Sequence, residues 1–143
     1  MKKIILLTML ISKLGLSQQA MFDICPIKIG QAVPEAQIFD KKGKEVELKD
    51  YLGQRKVIVV FYRGAWCPYC TRQLSALGQI KPILDSLHVE LIAISADDYT
   101  KIDSSYLRSG ATNYALFSDK NVSAIKAFGI GWKVNDGLYQ KYK

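Results

Sequence analysis

The stretch that decides the fold is Lys56-Val57-Ile58-Val59-Val60-Phe61-Tyr62-Arg63-Gly64-Ala65-Trp66-Cys67-Pro68-Tyr69-Cys70. From Val57 to Tyr62 it is continuously apolar and rich in β-branched side chains, the pattern of a strand covered on both faces. Arg63 to Trp66 interrupts that run. Pro68 then suits the first position of a helix, where its missing N–H removes no bond. Leu74, Leu77, Leu84 and Leu87 recur near helical spacing, so a helix is expected from about Pro68 to Leu87, kinked or split at Pro82. Two cysteines therefore fall at a strand-to-helix junction.

Upstream, Ala36-Gln37-Ile38-Phe39-Asp40 and Lys44-Glu45-Val46-Glu47-Leu48 flank Lys41-Lys42-Gly43, which reads as a β-hairpin with Val46 and Leu48 turned inward. Downstream, Val89 to Ser95 is a second buried strand, and Asp97 or Asp98 is a good N-cap for a helix running to Arg108 and closed by Gly110. Asn113 to Phe117 forms a third strand, Ser118-Asp119 a turn and cap, and Val122 to Phe128 a short helix. Strands alternating with helices predict an α/β domain with a parallel-rich sheet between helices. A sheet of this kind needs another hairpin after the third strand, and the sequence stops at Lys143. The expected domain, residues 18–143, thus lacks its C-terminal strands, and its uncovered edge offers a contact for a homodimer.

A chain of 143 residues has room for one such domain, and with three cysteines it is no disulfide-stapled miniprotein. Its single histidine excludes a His-rich metal site. Met1-Lys2-Lys3 followed by the apolar run Ile4 to Ile11, with Gly15-Leu16-Ser17 before Gln18, has the layout of a secretory signal over residues 1–17. Lys13 interrupts that layout, and a frayed amphipathic helix is the competing reading. Removing the segment deletes Lys2, Lys3 and Lys13 and no acid, taking the net charge from +7 to +4. A mature charge that small gives no support for a nucleic-acid partner. The expected location is the periplasm or the exterior, with no stable membrane association after cleavage.

The chemistry sits in Cys67-Pro68-Tyr69-Cys70. At the head of a helix both sulfurs fall on one side, and the first cysteine meets free backbone N–H groups and the positive end of the helix dipole. That setting favours a thiolate. The second cysteine lies deeper, placed to attack a mixed disulfide or a sulfenic acid on its neighbour, while Trp66 walls the reactive sulfur. Half of a zinc site, completed by Cys25 and His88, and a pair of inert core cysteines are the alternatives. His88, between Leu87 and Val89, reads as a helix-end residue. No metal and no cofactor is expected.

With the Ala36–Leu48 hairpin upstream and Ala93-Ile94-Ser95-Ala96-Asp97 downstream, the block from Phe61 to Cys70 resembles the alkyl hydroperoxide reductase/thiol-specific antioxidant family, in its peroxiredoxin-like branch carrying a thioredoxin-style C-x-x-C. The resemblance spans about residues 26–134. It implies a thioredoxin-like fold, an antioxidant oxidoreductase working through a Cys67/Cys70 couple on disulfides or peroxides, and an external thioredoxin-like donor. Arg63, Gly64, Trp66, Pro68 and Tyr69 would be its active-site neighbours. The chain also departs from the family pattern. If the peroxide-reactive cysteine is Cys70, Cys67 occupies the place of the family threonine and Arg63 that of its proline. If it is Cys67, those places hold Gly64 and Val60. Where thioredoxins carry a buried Asp, this sequence has Phe61. Peroxide and disulfide thus remain competing substrates, and a redox-inactive binding module on the same fold is the third reading.

Overall fold

The computed structural model describes residues 24–131, with Gly137 and Gln140 beyond them, so the signal segment expected at 1–17 lies outside the described residues. In chain order the elements are β1 (Gln37–Phe39), β2 (Glu45–Glu47), α1 (Leu48–Leu52), β3 (Lys56–Tyr62), α2 (Pro68–Ser86), β4 (Val89–Ser95), a 3-10 turn at Tyr99–Lys101, α3 (Ile102–Ser109), β5 (Ala115–Ser118) and α4 (Ser123–Ala127). They form one five-stranded sheet in the order β2-β1-β5-β4-β3. β3, β4 and β5 are parallel, and β1 joins them by antiparallel pairing of Phe39 with Ser118.

The hairpin is as expected, with Ile38 opposite Val46. Leu48, which the alternation turned inward, is fully buried at the start of α1. The strand buried on both faces is β4, where Leu91 to Ile94 are at most 1% exposed. Each Leu or Ile so buried contributes about 1.5–3 kcal/mol. Its alternating side chains feed two cores. Leu91 and Ala93 join Leu74, Ile102 and Leu116 on one face. Ile92 and Ile94 join Ile38, Leu48 and Phe117 on the other.

β3 corrects the expectation made for it. Among the described residues it is the edge strand, and Lys56 and Ile58 are exposed, because β4 supplies its one neighbour there. Pro82 does not split α2, which continues from Pro68 to Ser86 through it. Proline takes away the N–H that would bond the carbonyl four residues back. That carbonyl belongs to Gly78, and the Asn113 side chain donates to it instead at 2.9 Å. The approach is close enough that a Cβ on Gly78 would lie 3.2 Å from Asn113 Oδ1. Beyond Ser86, His88 takes a left-handed conformation with φ 54°, at the helix end where the sequence put it.

Candidate active site

The register of the parallel strands builds the site. Tyr62 pairs with Ser95, and Ser95 with Ser118, so the three strands end level. The segments that follow them, 63–67, 96–98 and 119–120, leave from one end of the sheet, the carboxyl end where open α/β folds place ligands. Asp119 N–H donates to Ser95 O at 2.7 Å, and Ser118 Oγ to Asp97 O at 2.6 Å, tying these segments together.

Between β3 and α2 the chain makes a tight turn. Gly64 sits at φ 146°, and a Cβ there would fall 2.5 Å from Asp97 Oδ2 and 2.6 Å from Trp66 Nε1. No side chain fits. The Asp97 carboxylate instead accepts the Ala65 N–H at 2.8 Å, holding the turn from a residue 32 positions downstream. The expected helix cap is thereby divided. Asp98 caps the 3-10 turn by accepting from Thr100 N–H and Oγ1, while Asp97 serves the cysteine-bearing turn. In the sequence, Asp97 reads only as a candidate cap. The signal it offered was the doubled acid, with one cap position for two carboxylates.

Cys67 is the N-cap of α2, in extended conformation, with Pro68 at the first helical position and Cys67 O accepting Thr71 N–H at 3.1 Å. No acid occupies the first turn to offset the dipole. Cys70 lies within that turn, and both cysteines are free thiols and buried, 3% and 8% exposed. Their proton affinities move apart. The hydrogen bond from the Cys70 side chain holds the Cys67 thiol below its ordinary value, with further help from the Cys70 and Tyr69 backbone N–H groups and the Arg63 charge. Burial pushes the Cys70 thiol up, and its bond to Cys67 pushes the same way. A thiolate on Cys67 and a proton on Cys70 is the arrangement these groups support.

The other expected residues surround the pair. Trp66 is 59% exposed and Tyr69 77%, with Pro68 exposed between them, so a buried sulfur is rimmed by apolar surface. The Arg63 guanidinium lies 4.5 Å from the centre of the Trp66 ring. Beside Trp66 a cavity of about 260 Å³ is lined by Ala65, Trp66, Asp97, Lys101, Ser104 and Arg108. Lys101, Ser104 and Arg108 had no place in the sequence reading of the site. Among the described residues, no three His, Cys, Asp or Glu side chains converge as metal ligands would.

A free dithiol at the head of a helix, at the carboxyl end of a sheet of this topology, defines a thioredoxin-like protein of thiol redox chemistry. Residues 29–141 match the AhpC/TSA family, and the chain belongs to it. It is 32% identical to Peroxiredoxin Bcp of Escherichia coli strain K12 over 122 residues, covering 80% of this chain and 76% of that protein. It is 27% identical to Thiol-disulfide oxidoreductase ResA of Bacillus thuringiensis subsp. konkukian strain 97-27 over 104 residues, 73% of this chain and 59% of ResA. Among solved structures, Peroxidoxin BcpB from Mycobacterium tuberculosis superposes with a TM-score of 0.67 at 22% identity, over 76% of this chain and 70% of that one. Reduced Prx3 from Vibrio vulnificus, in complex with H2O2, gives 0.68 at 20% identity, over 72% and 68%. The chain is an enzyme, a thiol-based oxidoreductase.

Proposed function

We propose that the enzyme is a thiol–disulfide reductase in which Cys67 attacks and Cys70 resolves. The observation that carries this is the division of labour within the pair: the sulfur at the helix mouth is the one whose surroundings favour the thiolate, and the one inside the turn is the one whose burial favours the protonated thiol. In the first step Cys67 S⁻ attacks one sulfur of a substrate disulfide, forming a mixed disulfide and releasing a thiolate. Cys70 then loses its proton and attacks Cys67 Sγ, closing the Cys67–Cys70 bond and releasing the second thiolate. Two electrons have passed from the dithiol to the substrate, and the Cys70 proton leaves with the products. A thioredoxin-like dithiol donor resets the pair.

Peroxide reduction is the second reading, favoured by the match to proteins named peroxiredoxins. There a thiolate sulfur takes one peroxide oxygen, water departs after proton uptake, and the resulting sulfenic acid condenses with the other cysteine, expelling a second water. By the family resemblance the place of the threonine that would steer the peroxide holds Cys67 if Cys70 reacts first and Gly64 if Cys67 does, a hydroxyl in neither case. The hydroxyl one position beyond Cys70, Thr71 Oγ1, donates to Pro68 O at 2.9 Å. Stopped-flow mixing of reduced protein with hydroxyethyl disulfide and with hydrogen peroxide separates the readings. Rapid loss of both thiols with the disulfide, alongside peroxide reactivity no faster than a free thiol, is the expected result. Fast peroxide turnover selects the second reading, and inertness to both rejects the assignment of Cys67 and Cys70.

The basic start, apolar run and small residues before Gln18 support export to an oxidising compartment, checked by a mature N-terminus at Gln18. The open edge of β3 among the described residues supports pairing with a second copy, checked by sedimentation of the purified protein.

A further inference from the structure

We propose that the cavity beside Trp66 is a carboxylate-binding subsite, and that the preferred substrates are disulfides carrying acidic groups. The proposal rests on the reading of Cys67 as the attacking sulfur and adds to it which disulfides arrive there. Lys101, Ser104 and Arg108 follow at intervals of three and four, so they share one side of the 3-10 turn and α3. The neighbouring row, Ile102, Ser105 and Ser109, is buried in the core. Packing that row fixes the first against the Ala65-Trp66 turn, and Trp66 is the chain neighbour of Cys67.

The cavity wall is rich in donors. Lys101 and Arg108 supply cations, and Ser104 Oγ supplies a hydroxyl. Arg63, outside the lining, holds a third cation over the Trp66 ring. None of the three cations takes part in an ion pair among the described residues. Asp97 is the one acid in the lining, and its Oδ2 is committed to the Ala65 N–H. Asp98, the nearby acid that feels Lys101, is committed to Thr100. With Lys101 and Arg108 against the single carboxylate of Asp97, the lining keeps a net positive charge, and such an excess beside a cleft raises the local concentration and encounter rate of anionic ligands. A carboxylate held here would keep its disulfide next to the turn that carries Cys67, and both thiolates expelled in the reaction would leave into positive surroundings.

The test is single-turnover kinetics of the reduced full chain with three probes: dithiodipropionate, which is anionic, hydroxyethyl disulfide, which is neutral, and cystamine, which is cationic. Each rate constant is divided by that of free mercaptoethanol with the same probe, which removes intrinsic reactivity. The normalised anionic-to-neutral ratio is expected to be roughly tenfold at low salt and to fall toward one as salt is raised to ~0.5 M. Replacing Lys101→Gln and Arg108→Gln together collapses the ratio, and Lys101→Glu with Arg108→Glu turns the preference to cystamine. Lys81→Gln, which removes a cation paired with Asp85 on a later turn of α2, leaves the ratio as it was. A ratio near one in the unmodified protein overturns the subsite, as does a ratio that survives both double replacements. Failure to react with any of the three probes faster than mercaptoethanol would instead overturn the reductase reading itself.

Discussion

At the scale of single residues, the chemistry depends on where one proton rests. Cys67 and Cys70 are three positions apart on the same turn, yet their environments pull in opposite directions. The Cys70 side chain is the largest support of the Cys67 thiolate, and burial is the largest force keeping Cys70 protonated. Because the Cys67 value is depressed, its thiolate persists to lower pH than that of a free cysteine. Iodoacetamide modification of Cys67 is therefore expected to stay fast below the ordinary cysteine range, with Cys70 modified only at higher pH. Cys70→Ala removes the donor and should move the Cys67 midpoint upward, slowing alkylation severalfold at neutral pH. A midpoint unchanged in that variant would show that the helix end, rather than the partner thiol, sets the thiolate. The identity of this pair was legible from its spacing and from Pro68. The role of Asp97 was not, because its bond to Ala65 N–H spans 32 positions and leaves no periodic trace.

At the scale of elements, local pattern served where it had a period to show. The hairpin, β3 and β4 stand where alternation and apolar runs placed them, and α2 begins at the proline that marks a first helical turn. The short strand β5 begins two residues later than expected, at Ala115, because the loop before it has its own task. Asn113 is spent on the carbonyl that Pro82 leaves without a partner. Pro82 could not be judged from α2 alone, since its remedy lies in another segment. Asn113→Ala is expected to lower stability by about 0.5–1.5 kcal/mol, at the lower end because water reaches the exposed site. In a Pro82→Ala background, where the backbone N–H returns, most of that cost should vanish. Urea unfolding of the two single variants and the double variant measures the coupling. Strictly additive losses would mean that Asn113 holds its own loop and not the helix.

At the scale of the whole molecule, alternation of strands and helices was enough for the parallel run β3-β4-β5 and for cores on both faces of the sheet. The position of the hairpin beside β5 was not legible, since Phe39 opposite Ser118 is one pairing between segments far apart in the chain. Strand order also decides that β3, the most apolar strand in the deciding stretch, lies outermost among the described residues. The same order gathers three strand ends at one place, where 63–67 meets Asp97 and the side of the 3-10 turn and α3 bearing Lys101 and Arg108. One result of this assembly can be watched directly. An indole ring, open to solvent and stacked by Arg63, is the immediate neighbour of the sulfur that changes bonding. Sulfur–sulfur bonds quench excited indoles, so the light emitted by Trp66 should dim when the pair closes and recover when it is reduced. Trp66→Phe is expected to remove that redox-dependent part of the emission, leaving the wild-type chain with a built-in optical gauge of its own oxidation.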